Sequence, residues 1–254
     1  MNSTAGQNKL HLPRVTLAAM SSVNLYETVQ ALKYSMRGID FGDVVLISDH
    51  RPFYLPRSIR FSRTTKLDSI DAFNYKMVYE LHEHIHTDYA LIVHADGFVI
   101  HPENWSDEFL QYDYIGAPWP LPNNEYLYRD EKGTLQRVGN SVSLRSKRLM
   151  QYPAEHQLEW KKGFDDFYNE DIFLCCLYRT QMEAVGLTWA PLETAVRFGR
   201  EHPIEENRGI EPFTFHKWRG ENASYPRFKS PWKRLKDITR PIRHPGLQRT
   251  YTQD

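Results

Sequence analysis

Several short constellations in this chain have side chains suited to polar chemistry. His94-Ala95-Asp96 follows an apolar run, and a carboxylate at the end of a buried strand can hold a divalent cation such as Mn²⁺ or Mg²⁺. The same spacing also fits a plain strand-ending turn. A cation would need a second ligand, and His216, in the late run Phe213-Thr214-Phe215-His216, is the candidate; a core histidine among aromatics is the alternative. Asn169-Glu170-Asp171 opens a predicted helix. Acids there are favoured by the helix dipole, and they also have the type needed for a general base toward a hydroxyl. Gly139-Asn140-Ser141 is either a simple loop or a turn whose backbone approaches a ligand. Tyr112-Asp113-Tyr114-Ile115-Gly116-Ala117-Pro118-Trp119 carries aromatic rings that can stack on sugars or pack a core. His82, His84 and His86 alternate along a predicted helix, cannot share one face, and read as solvated surface. There is no Walker loop, no Gly-x-Gly-x-x-Gly after the first strand and no Gly-x-Ser-x-Gly.

The elements that must position these residues follow from hydrophobic periodicity. Val15–Met20 and Asp43–Ser48 read as buried strands, with a helix between them that starts near Asn24 and buries Leu25, Val29, Leu32 and Met36. Arg51–Pro56 reads as a loop and Ile59–Ser62 as a short strand. A helix is expected from Asp68 or Ser69 to about His86, then a strand over Tyr89–Val93 that delivers His94 and Asp96. This alternation argues for an α/β fold with a mostly parallel central sheet flanked by helices, in which ligands bind beyond the carboxyl ends of strands. In the second half, Tyr112–Pro122 reads as a shaped surface segment and Val138–Arg145 as a strand followed by a short helix from Ser146. Asn169–Glu183 reads as a helix stopped near Gly186, and Ala195–Phe198 and Pro212–His216 as late strands.

Composition sets the outer limits. The 254 residues suit one large domain, and 41% hydrophobic with 13% aromatic residues can build its core, which excludes disordered, collagen-like and disulfide-scaffold classes. No apolar run is long enough for a transmembrane helix, and Met1–Lys9 lacks the layout of a signal peptide. The 2 cysteines, Cys175 and Cys176, are adjacent in an apolar stretch and read as core thiols, which suits a reducing cytoplasm. Lys+Arg and Asp+Glu both total 32, which gives no signal for nucleic acid. The balance is uneven along the chain: residues 217–254 carry a net charge of +7 and residues 1–216 a net of −7. Ser230-Pro231 could start a basic helix with Trp232, Leu235 and Ile238 along one side. Such a helix suits the inner face of a membrane, and a tail packed on the acidic body is the alternative.

The run Tyr89-Ala-Leu-Ile-Val-His-Ala-Asp-Gly-Phe-Val-Ile-His-Pro-Glu-Asn-Trp105 resembles the signature of a bacterial family filed as a domain of unknown function, itself similar to nucleotide-sugar glycosyltransferases of the GT-A fold. The resemblance continues through Glu108–Trp119, Gly139-Asn140, Ser143–Ser146, Glu170-Asp171, Phe198 with Glu201, and Phe215-His216, and covers roughly Val15 to Trp218. It implies a GT-A-like domain over 13–216, with a flexible segment 1–12 before it and a basic extension 217–254 after it. By position, Asp96 stands at the last acid of the Asp-x-Asp motif, on metal and donor diphosphate, with His94 in place of the first acid and Gly97 following. Asp171 stands at the base, with Glu170 beside it, and His216 at a late metal- or phosphate-binding histidine. Lys76 would reach the donor, Ala19 to Val23, including Ser21, would line the nucleotide pocket, and Trp119, Gly139 and Asn140 would meet the acceptor. Where the family reads Gly-Asn-Gly-Gly-Phe-Ser, this chain reads Gly139-Asn140-Ser141-Val142-Ser143. The implied activity is sugar transfer, with inversion, from a nucleotide-sugar to a glycan or lipid-linked acceptor in bacterial surface polysaccharide assembly. The alternatives are a non-catalytic nucleotide- or carbohydrate-binding module on the same fold, and a metal-dependent hydrolase using His94, Asp96 and His216.

Overall fold

A computed structural model describes residues 9–164 and 166–231. Its centre is a six-stranded sheet of order β3-β2-β1-β4-β6-β5. The strands are β1 (Leu10–Met20), β2 (Ile39–Ser48), β3 (Arg60–Arg63), β4 (Tyr89–Ile92), β5 (Tyr114–Pro118) and β6 (Val138–Ser146). β1, β2, β3 and β4 run parallel, and β6 lies antiparallel between β4 and β5.

The two faces of the sheet follow from the period-2 alternation of strand side chains. Leu17 and Ala19 of β1 pack with Leu46, Leu91 and the apolar face of helix α1 (Leu25–Ser35), namely Val29 and Leu32. Their neighbours Ala18 and Met20 face the other way, with Val45, Ile47, Ala90 and Ile92, against Met77 of α2 (Ile70–Tyr79) and Met150 of α3 (Lys147–Glu155). Ser69 caps α2 by accepting the Ala72 N–H, and Ser146 caps α3 by accepting that of Leu149.

The strand order places a topological switch at the carboxyl ends of β1 and β4. The chain steps from β1 to β2 and β3 on one side, then returns to β4 on the other side of β1. The loops leaving β1 and β4 therefore diverge and leave a crevice between them.

Several sequence expectations change in the structure. β1 begins at Leu10, within the segment expected to be flexible, because residues 10–12 pair with residues 39–41 of β2. The Tyr112–Pro122 segment is not a surface feature: Tyr114–Pro118 is buried as β5, paired to β6. Ala195–Phe198 lies in a helix, α6 (Leu192–Phe198), with Ala195, Val196 and Phe198 buried on one side. A short apolar run does not reveal its period. The long helix expected from Asn169 is broken into α4 (Glu170–Ile172), a π-helical turn over Phe173–Leu177, and α5 (Arg179–Ala184). His84 is buried and meets the Ser62 hydroxyl through Nδ1 at 2.7 Å, so it is not solvated surface. Cys175 and Cys176 are buried free thiols, as expected. Trp218, Tyr225 and Phe228 pack on the α1-side core, and the Ser230 N–H donates to Glu27 at 3.2 Å. The Trp232, Leu235 and Ile238 stripe lies outside the described residues.

Candidate active site

The crevice at the switch point holds two adjoining chambers of about 450 and about 440 Å³. The first is walled by the β1 loop (Met20 to Asn24), the segment Leu67 to Ile70, and Phe73 of α2. Its depth is set by hydrogen bonds that bind the loops to the sheet: the Ser21 N–H donates to the Ile47 carbonyl at 3.0 Å, and the Leu67 N–H to the Ser22 hydroxyl at 2.9 Å. The second chamber is polar and contains Asp171, Glu201, His202, His216, Lys217, Trp119 and Tyr128. His94, Asp96, Ile70 and Phe73 belong to both walls, so Asp96 stands at the junction.

Asp96 is presented by a tight turn after β4, closed by His94 N–H to Gly97 carbonyl at 2.7 Å and Gly97 N–H to His94 carbonyl at 3.3 Å. Strand β8 (Thr214–Phe215) docks across the segment that follows: the Phe215 N–H donates to the Phe98 carbonyl at 3.2 Å, and the Lys217 N–H to the Asp96 carbonyl at 2.7 Å. His216 is thereby carried to Asp96, with its Nε2 3.6 Å from Asp96 Oδ1 and its Nδ1 3.2 Å from Glu201 Oε2. That docking leaves no room for a side chain at position 97, where a Cβ would lie 2.6 Å from Val142 Cγ2 and 2.9 Å from the Phe215 carbonyl oxygen.

The electrostatics follow from this packing. Burial pushes the His216 pKa down, but the carboxylates of Asp96 and Glu201 outweigh it and raise it to about 9. Burial pushes Asp96 up, and the His216 ring overrides it, so Asp96 sits at about 2. Glu201 is likewise held well below the usual carboxylate range against burial, by His216 and Lys217. His94 is half-buried, and desolvation of its ring lowers it to about 4, so it is neutral near pH 7; its Nε2 has no hydrogen-bond partner among the described residues. Asp171 is raised to about 7 by burial and by repulsion from Glu170.

The remaining predicted residues separate into those that reach the crevice and those that do not. Ser21 lines the first chamber, and Asp171 and Trp119 line the second. Ala19 is sealed in the α1-side core. Lys76 is paired with Glu80 one helical turn on, and its neighbours Phe73 and Asn74 line the crevice instead. Glu170 is turned away from the chamber into the interior, where it meets the fully buried Arg145 at 3.1 Å. Gly139 lies behind the Trp119 ring, and Asn140 behind Glu201, to which its side-chain amide donates. Glu201 and Lys217 join the site without a local sequence signal for a role, Glu201 having only its place beside Phe198 in the resemblance.

Asp96 and His216 are the residues that could hold a divalent cation here, once His216 gives up the proton that its two carboxylate neighbours stabilise. Among the described residues no cluster of three or more His, Cys, Asp or Glu side chains forms a self-sufficient cage. Mg²⁺ at phosphate sites, however, is held by one or two carboxylates, with phosphate oxygens and water completing the shell. Asp96 and His216 offer an oxygen and a nitrogen side by side at the chamber junction.

With this geometry in place, residues 57–216 match the family described as protein of unknown function (DUF5672). The chain belongs to this family. The DUF5672 match runs from just before β3 to His216 and so includes Asp96, Asp171, Glu201 and His216. No curated protein matches the chain. Among solved structures, the chain is similar to a glycosyltransferase involved in the glycosylation of the major capsid of PBCV-1, at 9% identity and a TM-score of 0.48, covering 82% of this chain and 95% of that one. It is also similar to S. aureus TarS 1-349, at 10% identity and a TM-score of 0.43, covering 80% of this chain and 60% of that one. A third is the bifunctional IspDF from Campylobacter jejuni, at 12% identity and a TM-score of 0.42, covering 72% of this chain and 51% of that one. No helix among the described residues is long and apolar enough to cross a membrane.

Proposed function

We propose that this protein is a glycosyltransferase that moves a sugar from a nucleoside-diphosphate sugar to an acceptor hydroxyl. The observation that carries the reading is Asp96 at the junction of two chambers, with His216 beside it and Asp171 in the wall of the second. The first chamber takes the nucleoside between Phe73, Leu67 and the β1 loop. The diphosphate lies at the junction, where Lys217 supplies positive charge. A divalent cation held by Asp96 and His216 would neutralise charge on the departing diphosphate. The acceptor enters the second chamber, where the half-buried Tyr128 ring, stacked on the buried Trp119 with centroids 4.5 Å apart, offers a flat apolar face to a sugar ring.

In this reading the acceptor oxygen attacks the anomeric carbon as the bond from that carbon to the diphosphate oxygen breaks, with inversion. The hydroxyl proton passes to the Asp171 carboxylate, and the electron pair of the broken bond leaves on the diphosphate. A carboxyl titrating near 7 is suited to that transfer, because a base works best when its pKa lies close to the working pH. The acceptor class is a glycan or lipid-linked glycan, in bacterial surface polysaccharide assembly, and the basic residues 232–254 would hold the enzyme at the membrane face.

Thermal unfolding of the full chain with UDP, GDP, CMP or dTDP, each with and without Mn²⁺, tests the reading. A nucleotide at 100 times its Kd should add about 2.7 kcal/mol. The absence of a shift with every nucleotide overturns the transferase reading. Asp171→Asn should keep the nucleotide-induced shift and lose product formation. Full activity in that variant removes Asp171 as the base, and a wild-type chain that binds nucleotide and forms no product from any sugar donor is a binding module.

A further inference from the structure

We infer that Glu201 is a positioning residue for the proposed cation site: it fixes the His216 ring so that Nε2 faces Asp96. The inference rests on the transferase reading above and adds a residue to which that reading gives no role. Glu201 follows β7 (Gly199–Arg200), which pairs in parallel with β8, Gly199 to Thr214 and Arg200 to Phe215. The His216 N–H donates to the Arg200 carbonyl at 2.9 Å, so the backbone itself sets Glu201 beside His216.

The carboxylate is held from three directions. The Asn140 amide donates to Oε2, Lys217 Nζ donates to Oε1 at 2.9 Å, and His216 Nδ1 lies 3.2 Å from Oε2. Asn140 cannot swing away, because its Oδ1 accepts the Val142 N–H at 3.0 Å and its backbone carbonyl accepts the Tyr114 hydroxyl at 2.6 Å. The residue occupies φ 128, a conformation that a non-glycine residue keeps only when its surroundings enforce it. Asn140 Oδ1 is committed to a backbone donor, so the amide nitrogen must be the atom that faces Glu201. The Glu201 carboxylate can only accept, so His216 Nδ1 must carry a proton. The proton that a cation would displace is therefore the one on Nε2, on the Asp96 side, while Nδ1 keeps its own. A histidine that donates its second nitrogen to a carboxylate is the usual arrangement behind a metal ligand, and disrupting it costs 10–100-fold in affinity.

The test is Mn²⁺ binding to the full chain, measured by calorimetry with Mn²⁺ alone and with Mn²⁺ plus inorganic pyrophosphate. Glu201→Gln keeps the size of the side chain and should weaken Mn²⁺ binding by 10–100-fold. Should that variant fail to fold by thermal unfolding, Glu201→Asp keeps the charge, withdraws it by one methylene, and should lose affinity in the same direction. The double variant Glu201→Gln/His216→Ala should bind no more weakly than His216→Ala alone, because Glu201 acts through His216. Unchanged affinity in Glu201→Gln, or additive losses in the double variant, overturns the inference. A wild-type chain that is stabilised by a nucleoside diphosphate and binds no Mn²⁺ overturns it while leaving the transferase reading in place; a chain that no nucleotide stabilises overturns the transferase reading itself.

Discussion

Replacing Gly139 by alanine tests whether this glycine serves packing and not ligand approach. A Cβ at position 139 would lie 1.9, 2.3 and 2.4 Å from three carbons of the Trp119 indole. Ordinary contact begins near 3.4 Å, so the ring must move by about 1.5 Å. It has little freedom to do so. Trp119 is 5% exposed and stacks on Tyr128 at an interplanar angle of 13°. Its backbone is tied to Arg137 by Trp119 N–H to Arg137 carbonyl at 2.8 Å and Arg137 Nε to Trp119 carbonyl at 3.0 Å. If the ring shifts and its surroundings repack, overpacking costs about 1–3 kcal/mol. If it is expelled, losing 150–250 Å² of burial at about 25 cal/mol/Å² costs about 4–6 kcal/mol. We expect a loss of about 3 kcal/mol, between these limits. Urea unfolding followed by far-UV circular dichroism measures it, with an unchanged m-value as the check that the unfolded states match. Trp119→Ala should itself cost about 3–5 kcal/mol, and adding Gly139→Ala to it should cost nearly nothing, because the clashing ring is gone. The reasoning fails if Gly139→Ala unfolds within about 0.5 kcal/mol of wild type, or if its cost persists undiminished without the indole.

Two further outcomes follow from the site. Glu170→Ala should destabilise the fold by about 3–5 kcal/mol in urea unfolding, because it leaves Arg145 charged and unpaired in the interior; a variant as stable as wild type would show that the pair carries no stability. The transfer rate should rise with pH through about 7 and level off above, since Asp171 must be ionised to accept the proton. Glu170 and Glu201 repel that charge and Arg145 favours it. The raised pKa contributes stability that is full below the unfolded value near 4 and is lost as pH rises through about 7. Asp171→Asn should therefore lose less stability than wild type between pH 5 and 8 in pH-dependent thermal unfolding, and parallel curves would refute the assignment.

The sequence by itself determined the order of strands and helices in the first half, because long apolar runs and 3.6-residue periodicity report burial directly; the bounds differ, since the helix expected to about His86 ends as α2 at Tyr79 and β1 and β2 begin earlier, at Leu10 and Ile39. It also placed Asp96 correctly, since the residue after a buried parallel strand must emerge at the carboxyl edge of the sheet. Only the tertiary structure decided what meets Asp96. His216 lies 120 positions away, and no local pattern encodes the docking of β8 across residues 96–99. The same limit explains Glu170 and Asp171. They are adjacent in sequence and alike in type, yet one turns into the interior toward Arg145 and the other lines the chamber. Gly139 is a further case. A glycine can be required by a ligand, by a turn or by a neighbouring ring, and only the position of Trp119 shows which. Residue type and period therefore settled where backbone is buried and where it emerges. The pairing of side chains from β4, α4, β6, β7 and β8 depended on packing between segments distant in the chain, which sequence spacing does not record.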